Sequence, residues 1–188
     1  MPITGCSSSA ALRRRARSRG RADGSLAVTY TLKTLATDDE WRAFHDIRRT
    51  ELFEARGRFG IYDAQHPDDR LADNTPLLLI WNEIPVGVMR LDDRHDGTGV
   101  VRLVAITGAE QRRGHGRRMQ ELLEARCRDQ GIRMLYVNAA PQAVGFYERT
   151  GWTKHVWDPA ELVSIASECI QMRKPVASYS IDLTGTLD

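Results

Sequence analysis

Apolar and polar residues alternate along this chain in short blocks with two different periods. Leu26, Val28, Tyr30 and Leu32 alternate with other residues, which predicts a half-buried strand over Leu26–Leu35. Trp41, Phe44, Ile47 and Phe53 line one face at helical spacing. Thr37-Asp38-Asp39-Glu40 precedes them as a capping box, so a helix is expected from there to about Arg56. Residues 57–76 are polar and read as a loop with at most one short helical turn. Two apolar runs, Leu77–Trp81 and Ile84–Asp92, flank Asn82-Glu83 and predict a hairpin. Val100–Ile106 reads as a buried strand. Met119, Leu122, Leu123 and Cys127 share one face of a helix over Gly116–Gln130, with Gly131 as its stop. Met134–Asn138 is a further buried strand. A short helix follows Pro141 and ends at Gly151, Asp158-Pro159-Ala160-Glu161 is a second cap, and Cys169–Arg173 is the last strand. This order predicts an α/β sandwich around a mixed sheet, without internal repeats.

Composition narrows the class. The 188 residues fit one domain with a single core. No apolar run approaches the ~18–20 residues of a membrane span. The net charge of +2 is uneven: residues 1–25 carry +5 and the remainder −3. That basic start has no apolar period and reads as a solvated, disordered tail. Contact with nucleic acid or an organellar address are its alternatives, and nucleic acid is not the expected partner. A secretory signal is excluded because no apolar h-region follows the arginines. The folded body is expected over 26–175, with a second tail over 176–188. Cys6, Cys127 and Cys169 are odd in number and widely spaced, the pattern of a reduced, cytoplasmic protein. The arginine-rich, lysine-poor usage suggests a bacterial source. No His, Cys or acidic cluster has ligand spacing, so no metal is expected.

The chemistry concentrates between the strand Val100–Ile106 and the helix that follows it. Gln111-Arg112-Arg113-Gly114-His115-Gly116-Arg117 is a glycine-rich loop entering a helix N-terminus, which offers free amides and a positive dipole end to a phosphate. It lacks the lysine of a Walker A loop and the third glycine of a dinucleotide fingerprint. About thirty residues on lies Ala143-Val144-Gly145-Phe146-Tyr147-Glu148-Arg149-Thr150-Gly151-Trp152. Together the Gln-x-x-Gly-x-Gly loop and this Ala-x-x-Phe-Tyr-x-x-x-Gly-aromatic segment resemble the acetyl-CoA-binding motifs of the GNAT N-acetyltransferase superfamily. The match covers Leu77–Lys174 well and Leu26–Pro76 loosely.

The resemblance implies a mixed, mostly antiparallel sheet flanked by helices, with two parallel strands splayed apart to form a coenzyme A cleft. It implies transfer of an acetyl group from acetyl-CoA, as co-substrate, to a small-molecule or peptide primary amine in a ternary complex. A non-catalytic acyl-CoA-binding regulator of the same fold is the alternative. Backbone groups of Val104, Ala105 and Ile106 are the expected partners of the pantetheine arm. The amides of Arg112, Arg113, Gly114, His115, Gly116 and Arg117, after Gln111, are the expected phosphate site. Glycines 114 and 116 are read as leaving room for the phosphate. Tyr147 matches the family's general acid, and Asn138 is placed to bond either substrate. Two features depart from the family. Gly108 stands where proline is common, and the strands Val100–Ile106 and Met134–Asn138 bear no carboxylate to act as base. Water relayed to Glu83, Asp92 or His95 is one substitute, and an acceptor of low amine pKa another. Glu51 and Glu54 are read as a solvated face. A monomer or homodimer without membrane contact is expected.

Overall fold

The computed structural model describes residues 28–177. The basic tail expected over 1–25 lies outside them, as does the C-terminal tail beyond residue 177. Seven strands form one sheet: β1 (Tyr30–Thr34), β2 (Asn74–Trp81), β3 (Ile84–Asp93), β4 (Thr98–Ile106), β5 (Met134–Ala139), β6 (Thr153–Lys154) and β7 (Ile170–Pro175). Their spatial order is β1-β2-β3-β4-β5-β7-β6. Every neighbouring pair is antiparallel except β4–β5. Helices α1 (Asp38–Arg48), α2 (His115–Asp129) and α3 (Val144–Arg149) cover its faces. The expected mixed, mostly antiparallel sheet is therefore present. The two-residue β6 escaped the sequence reading because so short a strand has no period.

Local chemistry explains the boundaries. The capping box before α1 is formed: the Thr37 hydroxyl accepts from Glu40 N–H at 3.3 Å, and the Glu40 carboxylate accepts from Thr37 N–H at 3.2 Å. The helix does not continue unbroken to Arg56. It widens into a π turn over Arg49–Phe53 and tightens into a 3₁₀ turn over Glu54–Arg56, ending at Gly57 with φ +71°. The β2–β3 turn places Asn82 at φ +46° and Glu83 at φ +70°, the left-handed pair that a tight hairpin requires. Strand β2 starts at Asn74, before the expected Leu77, and contains Pro76. Pairing with β1 has ended at Leu77, so Pro76 lies where β2 has an open edge.

Burial follows the strand alternation. Leu77 and Leu79 pack with Met89 and Leu91 against Met119, Leu123 and Cys127 of α2. Leu78, Val88 and Ala105, on the opposite face, pack against Phe44 and Ile47 of α1. Val176 is buried in the first of these cores and donates its N–H to the Arg133 carbonyl.

The functional region begins where the parallel pair parts. Pairing of β4 with β5 runs from Thr98↔Met134 to Val101↔Val137 and stops. On its other side β4 carries a bulge. Val88 opposes Ala105 and Arg90 opposes Arg102, so Leu103 and Val104 together face Met89 alone. Leu103 sits at φ +54°, a strained conformation for a bulky residue. The bulge bends β4 just past its last bond to β5, and the outer edge of Arg102–Ile106 is left open.

Close packing beside the bulge gives a test of this geometry. A Cβ on Gly87 would lie 2.6 Å from Ile106 Cδ1 and 3.0 Å from the Ala105 carbonyl oxygen. Gly87→Ala is expected to cost about 1–3 kcal/mol of stability through overpacking. Denaturant unfolding checks this, and an unchanged midpoint would mean that β3 and β4 are not so closely packed.

Candidate active site

The glycine-rich loop starts where β4 ends. Thr107 N–H donates to the Val86 carbonyl at 3.0 Å, and a 3₁₀ turn over Gly108–Glu110 leads into the loop. Arg112 at φ +63° and Gly114 at φ +89° turn the backbone. The first-turn amides of α2, His115 to Arg117, lack intrahelical acceptors, and Arg118 N–H is bonded to the Gly114 carbonyl. A Cβ at Gly114 would meet nothing within 4 Å, so glycine is required there by φ and leaves open space over the amides. At Gly116 the reason is different. A Cβ there would lie 3.2 Å from Phe146 Cζ, so this glycine lets α3 pack against α2.

The loop's side chains divide into two groups. Arg112 and Arg117 are exposed, and no partner is bonded to either among the described residues. Arg113 pairs with Glu110 at 2.8 Å. The His115 ring is 2 % exposed and is held between the Tyr30 hydroxyl at 2.8 Å and Glu110 at 3.0 Å. Only its backbone N–H can face a phosphate. Glu51, expected on a solvated face, is instead part of the loop's support. Its carboxylate accepts from Gly108 N–H at 2.7 Å and from Gln111 Nε2 at 3.3 Å, and Gln111 Nε2 also donates to the Ile106 carbonyl at 3.1 Å. The π turn after α1 aims Glu51 there. A proline at 108 would have no N–H to give it.

A cavity of about 670 Å³ opens along the free edge of β4. That is ample for a small acceptor and the end of a thioester arm. Val104, Asn138 and Tyr147 all line it, whereas Ala105, Ile106 and the loop lie outside its walls. Tyr147 is 5 % exposed, and its hydroxyl has no hydrogen-bonding partner among the described residues. Burial pushes its pKa well up, so the phenol stays protonated through the physiological range. The Asn138 carbonyl oxygen accepts from the buried Gln171 at 3.1 Å, which turns the amide's N–H₂ end into a free donor.

Beneath the cavity runs a ladder of alternating charges that sequence patterning did not reveal. Arg48, at the end of α1, bonds Asp69 at 2.5 Å, and Asp69 also takes Arg90 Nη1 at 3.2 Å. Arg90 grips Asp92 with two bonds, of 2.7 and 3.0 Å. Asp92 accepts from Arg102 Nε at 2.5 Å, and Arg102 closes on Glu161 with bonds of 2.5 and 2.7 Å. Arg90 and Arg102 face each other across β3 and β4, and Asp92 between them removes the repulsion. Burial opposes the Arg102 charge, but the bond to Glu161 and the charge of Asp92 outweigh it and raise its pKa. The bond to Arg102 likewise holds Glu161 below the ordinary carboxylate value. The one local hint was arginines at strand positions, since buried charges demand partners.

Of the three groups named as water-relayed bases, only Asp92 reaches the cavity, and both its oxygens are taken by guanidinium donors. Glu83 lies in the β2–β3 turn and His95 in the β3–β4 turn, where His95 pairs with Asp73 at 2.8 Å. Among the described residues, no group of three or more His, Cys, Asp or Glu side chains could hold a metal ion. No described helix is long and apolar enough to cross a membrane.

The family model for the acetyltransferase (GNAT) domain matches residues 58–174. The chain belongs to the GNAT acetyltransferase family. A Bacillus subtilis protein that bears an acetyltransferase name is 26% identical over 127 residues, covering 64% of this chain and 82% of its own. Among solved structures, the Escherichia coli ribosomal-protein-S18-alanine N-acetyltransferase is similar at 16% identity and a TM-score of 0.62, covering 82% of this chain and 99% of its own. An N-acetyltransferase of Thermoplasma acidophilum, solved in complex with coenzyme A, is similar at 12% identity and a TM-score of 0.59, with 78% and 99% covered. At such identities the structural likeness establishes the fold. It places the open edge of β4 and the glycine-rich loop in a GNAT frame.

The ladder gives the GNAT body of this chain a point of fragility. The Asp69 side chain is 3 % exposed and serves two arginines. Asp69→Ala strands the buried Arg48 charge, while Arg90 keeps its two bonds to Asp92, and is expected to cost about 3–5 kcal/mol. Denaturant unfolding measures it, and a loss below about 1 kcal/mol would show that the ladder contributes little to stability.

Proposed function

We propose that this GNAT protein transfers the acetyl group of acetyl-CoA to a primary amine by direct attack in a ternary complex, with Tyr147 as general acid. The observation that carries this reading is Tyr147 itself: a buried, protonated phenol whose hydroxyl has no hydrogen-bonding partner among the described residues, on the wall of a cavity beside an open strand edge. Acetyl-CoA fits the chain's free groups. The amides from Arg112 to Arg117 and the unpaired guanidiniums of Arg112 and Arg117 suit the pyrophosphate. The open edge of Val104 to Ile106 suits an extended, amide-bearing arm, which pairs as an added strand does. That the similar Thermoplasma structure is a complex with coenzyme A supports coenzyme A as the ligand.

In the reaction the amine nitrogen bonds to the thioester carbonyl carbon, and a backbone N–H near Ala105 or Ile106 meets the developing oxyanion. The C–S bond then breaks, the departing thiolate takes the Tyr147 proton, and the proton shed by the former amine returns Tyr147 to its phenol form. A lysine-like amine with a pKa near 10.4 costs about 4–5 kcal/mol to hold neutral at pH 7, so a proton acceptor matters. The pairing of every ladder carboxylate with arginine lends some support to the alternative of a non-catalytic acyl-CoA-binding domain. Thiol release with a panel of amines, polyamines, aminoglycosides and peptides separates the two.

Acetyl-CoA at 100 times its dissociation constant should add about 2.7 kcal/mol of stability. Gly114→Asp, which puts a like charge over the amides and a side chain at φ +89°, should abolish the shift. A full shift in that variant would mean that the loop does not hold the phosphates. Tyr147→Phe should keep acetyl-CoA affinity while lowering the turnover rate about 10²–10⁴-fold. A rate within threefold of wild type would reduce Tyr147 to a packing role.

A further inference from the structure

The reaction proposed above needs a proton acceptor for the amine, and the cavity offers an unusual one. Of the carboxylates on its walls, Asp68, Asp92 and Glu161 are bonded to arginines. Asp63 is exposed and accepts from Gln65 N–H at 2.7 Å. The loop after α1 brings Tyr62 to the wall of the cavity that Tyr147 also lines. Its hydroxyl lies 2.6 Å from Nδ1 of His45, one turn before the end of α1. Behind the pair is an aromatic box: Trp41 stacks on His45 at 5.5 Å, Phe44 meets it edge-on at 5.5 Å, and Phe53 meets Tyr62 at 5.1 Å.

From this geometry, and resting on the acetyl-transfer reading, we propose that Tyr62 and His45 form a proton relay that deprotonates the acceptor amine. The Tyr62 oxygen takes a proton from the bound ammonium as its own hydroxyl proton passes to Nδ1 of His45. The amine is left neutral with its lone pair free, Tyr62 is unchanged, and His45 becomes imidazolium. The proton leaves from His45 to solvent before the next turnover. Tyr62 touches the substrate, and His45 acts through it.

The surroundings suit this task. Burial lowers the His45 pKa and Arg48 lowers it further; Arg70 acts the same way, against Asp69 and Asp46. The imidazole is therefore neutral at pH 7 and able to accept. Burial raises the Tyr62 pKa to about 12, so its proton is not lost to water and the pair works by exchange. The relay requires the tautomer with the proton on Nε2, which leaves Nδ1 as acceptor. His66 also lines the cavity and is the rival base. It is exposed, and its Nδ1 accepts from Asp68 N–H at 3.4 Å.

Two measurements decide the matter. Nitrogen-detected NMR of the free protein should find His45 neutral at pH 7 with Nδ1 unprotonated. A protonated ring, or a proton on Nδ1, overturns the relay. With an amine found to turn over in the panel, the wild-type kcat/KM should rise through the His45 pKa and then level off near neutrality. Tyr62→Phe keeps the ring against Phe53, and acetyl-CoA should shift its melting as it does in wild type. Its rate should fall at least tenfold at pH 7 and climb without a plateau toward the amine's own pKa. His45→Gln should lose the same plateau. A Tyr62→Phe variant within threefold of wild type and with its plateau intact overturns the relay alone. If His66→Gln removes the plateau instead, the base is His66 and the relay is wrong. If wild type releases thiol with no amine although acetyl-CoA binds, the transfer reading fails and the relay falls with it.

Discussion

The parting of β4 from β5 beyond Val101 and Val137 is the constraint on which the rest of the molecule turns. A continuous parallel pair would satisfy its own backbone and leave nothing for a ligand. Here the bulge at Leu103 and Val104 bends β4 away, and the strain at Leu103 is held by the antiparallel bonds to β3 on the other edge. The backbone groups left open run directly toward the loop at Gln111–Arg117. One distortion thus creates both a strand edge to pair with and a cavity to receive whatever reacts there. Tyr147 gains its setting from the same gap, since α3 packs over it through Gly116 and Phe146.

Opening a sheet exposes its interior to charge, and the ladder from Arg48 to Glu161 manages that exposure. Arg90, Asp92 and Arg102 occupy positions that in a closed sheet would be apolar. Arg90, Asp92 and Arg102 each lie between opposite charges, so the floor of the cavity is polar yet its charges are paired. This arrangement has a chemical consequence. A carboxylate whose oxygens are committed to guanidinium donors is a poor acceptor for another proton. The ladder supports the cavity floor, and this is why the proposed proton transfers fall to neutral groups, Tyr62 and Tyr147.

Much of this was legible in the sequence where the signal is local. The capping box before α1, the Asn82-Glu83 hairpin, the apolar face of α2 and the glycine-rich loop each depend on residues within a few positions of one another, and each is present. Tyr147 is singled out through resemblance and Asn138 by its place at the end of a strand, and both side chains line the cavity. What the sequence hid is set by tertiary contact. Glu51 looks like a surface glutamate until the π turn aims it at Gly108, 57 positions away. Arg102 and Glu161 are 59 positions apart, and no period connects them. His115 sits in the motif, yet its ring is drawn inward by Tyr30, 85 positions earlier. The same limit hides Tyr62, which reaches the cavity wall from the loop after α1 and bonds His45, 17 positions earlier.

The segment from Arg48 to Phe53 joins these parts. As a regular helix it would carry Glu51 around by about 100° per residue, on one face with Ile47 and Glu54. The wider π turn changes that spacing, and three successive roles fall to neighbouring residues. Arg48 enters the ladder, Glu51 fixes the start of the phosphate loop, and Leu52 and Phe53 wall the cavity. The glycine-rich loop and the cavity wall are therefore fastened to one turn of backbone. Phe53 in turn packs against the Tyr62 ring at 5.1 Å. Under the proposed transfer reaction, this fastening would link phosphates bound at the loop to the cavity wall through Glu51. The family's proline at position 108 would remove the N–H that makes this fastening. The glycine there, which read as a neutral departure in the sequence, is what lets α1 take part in both halves of the site.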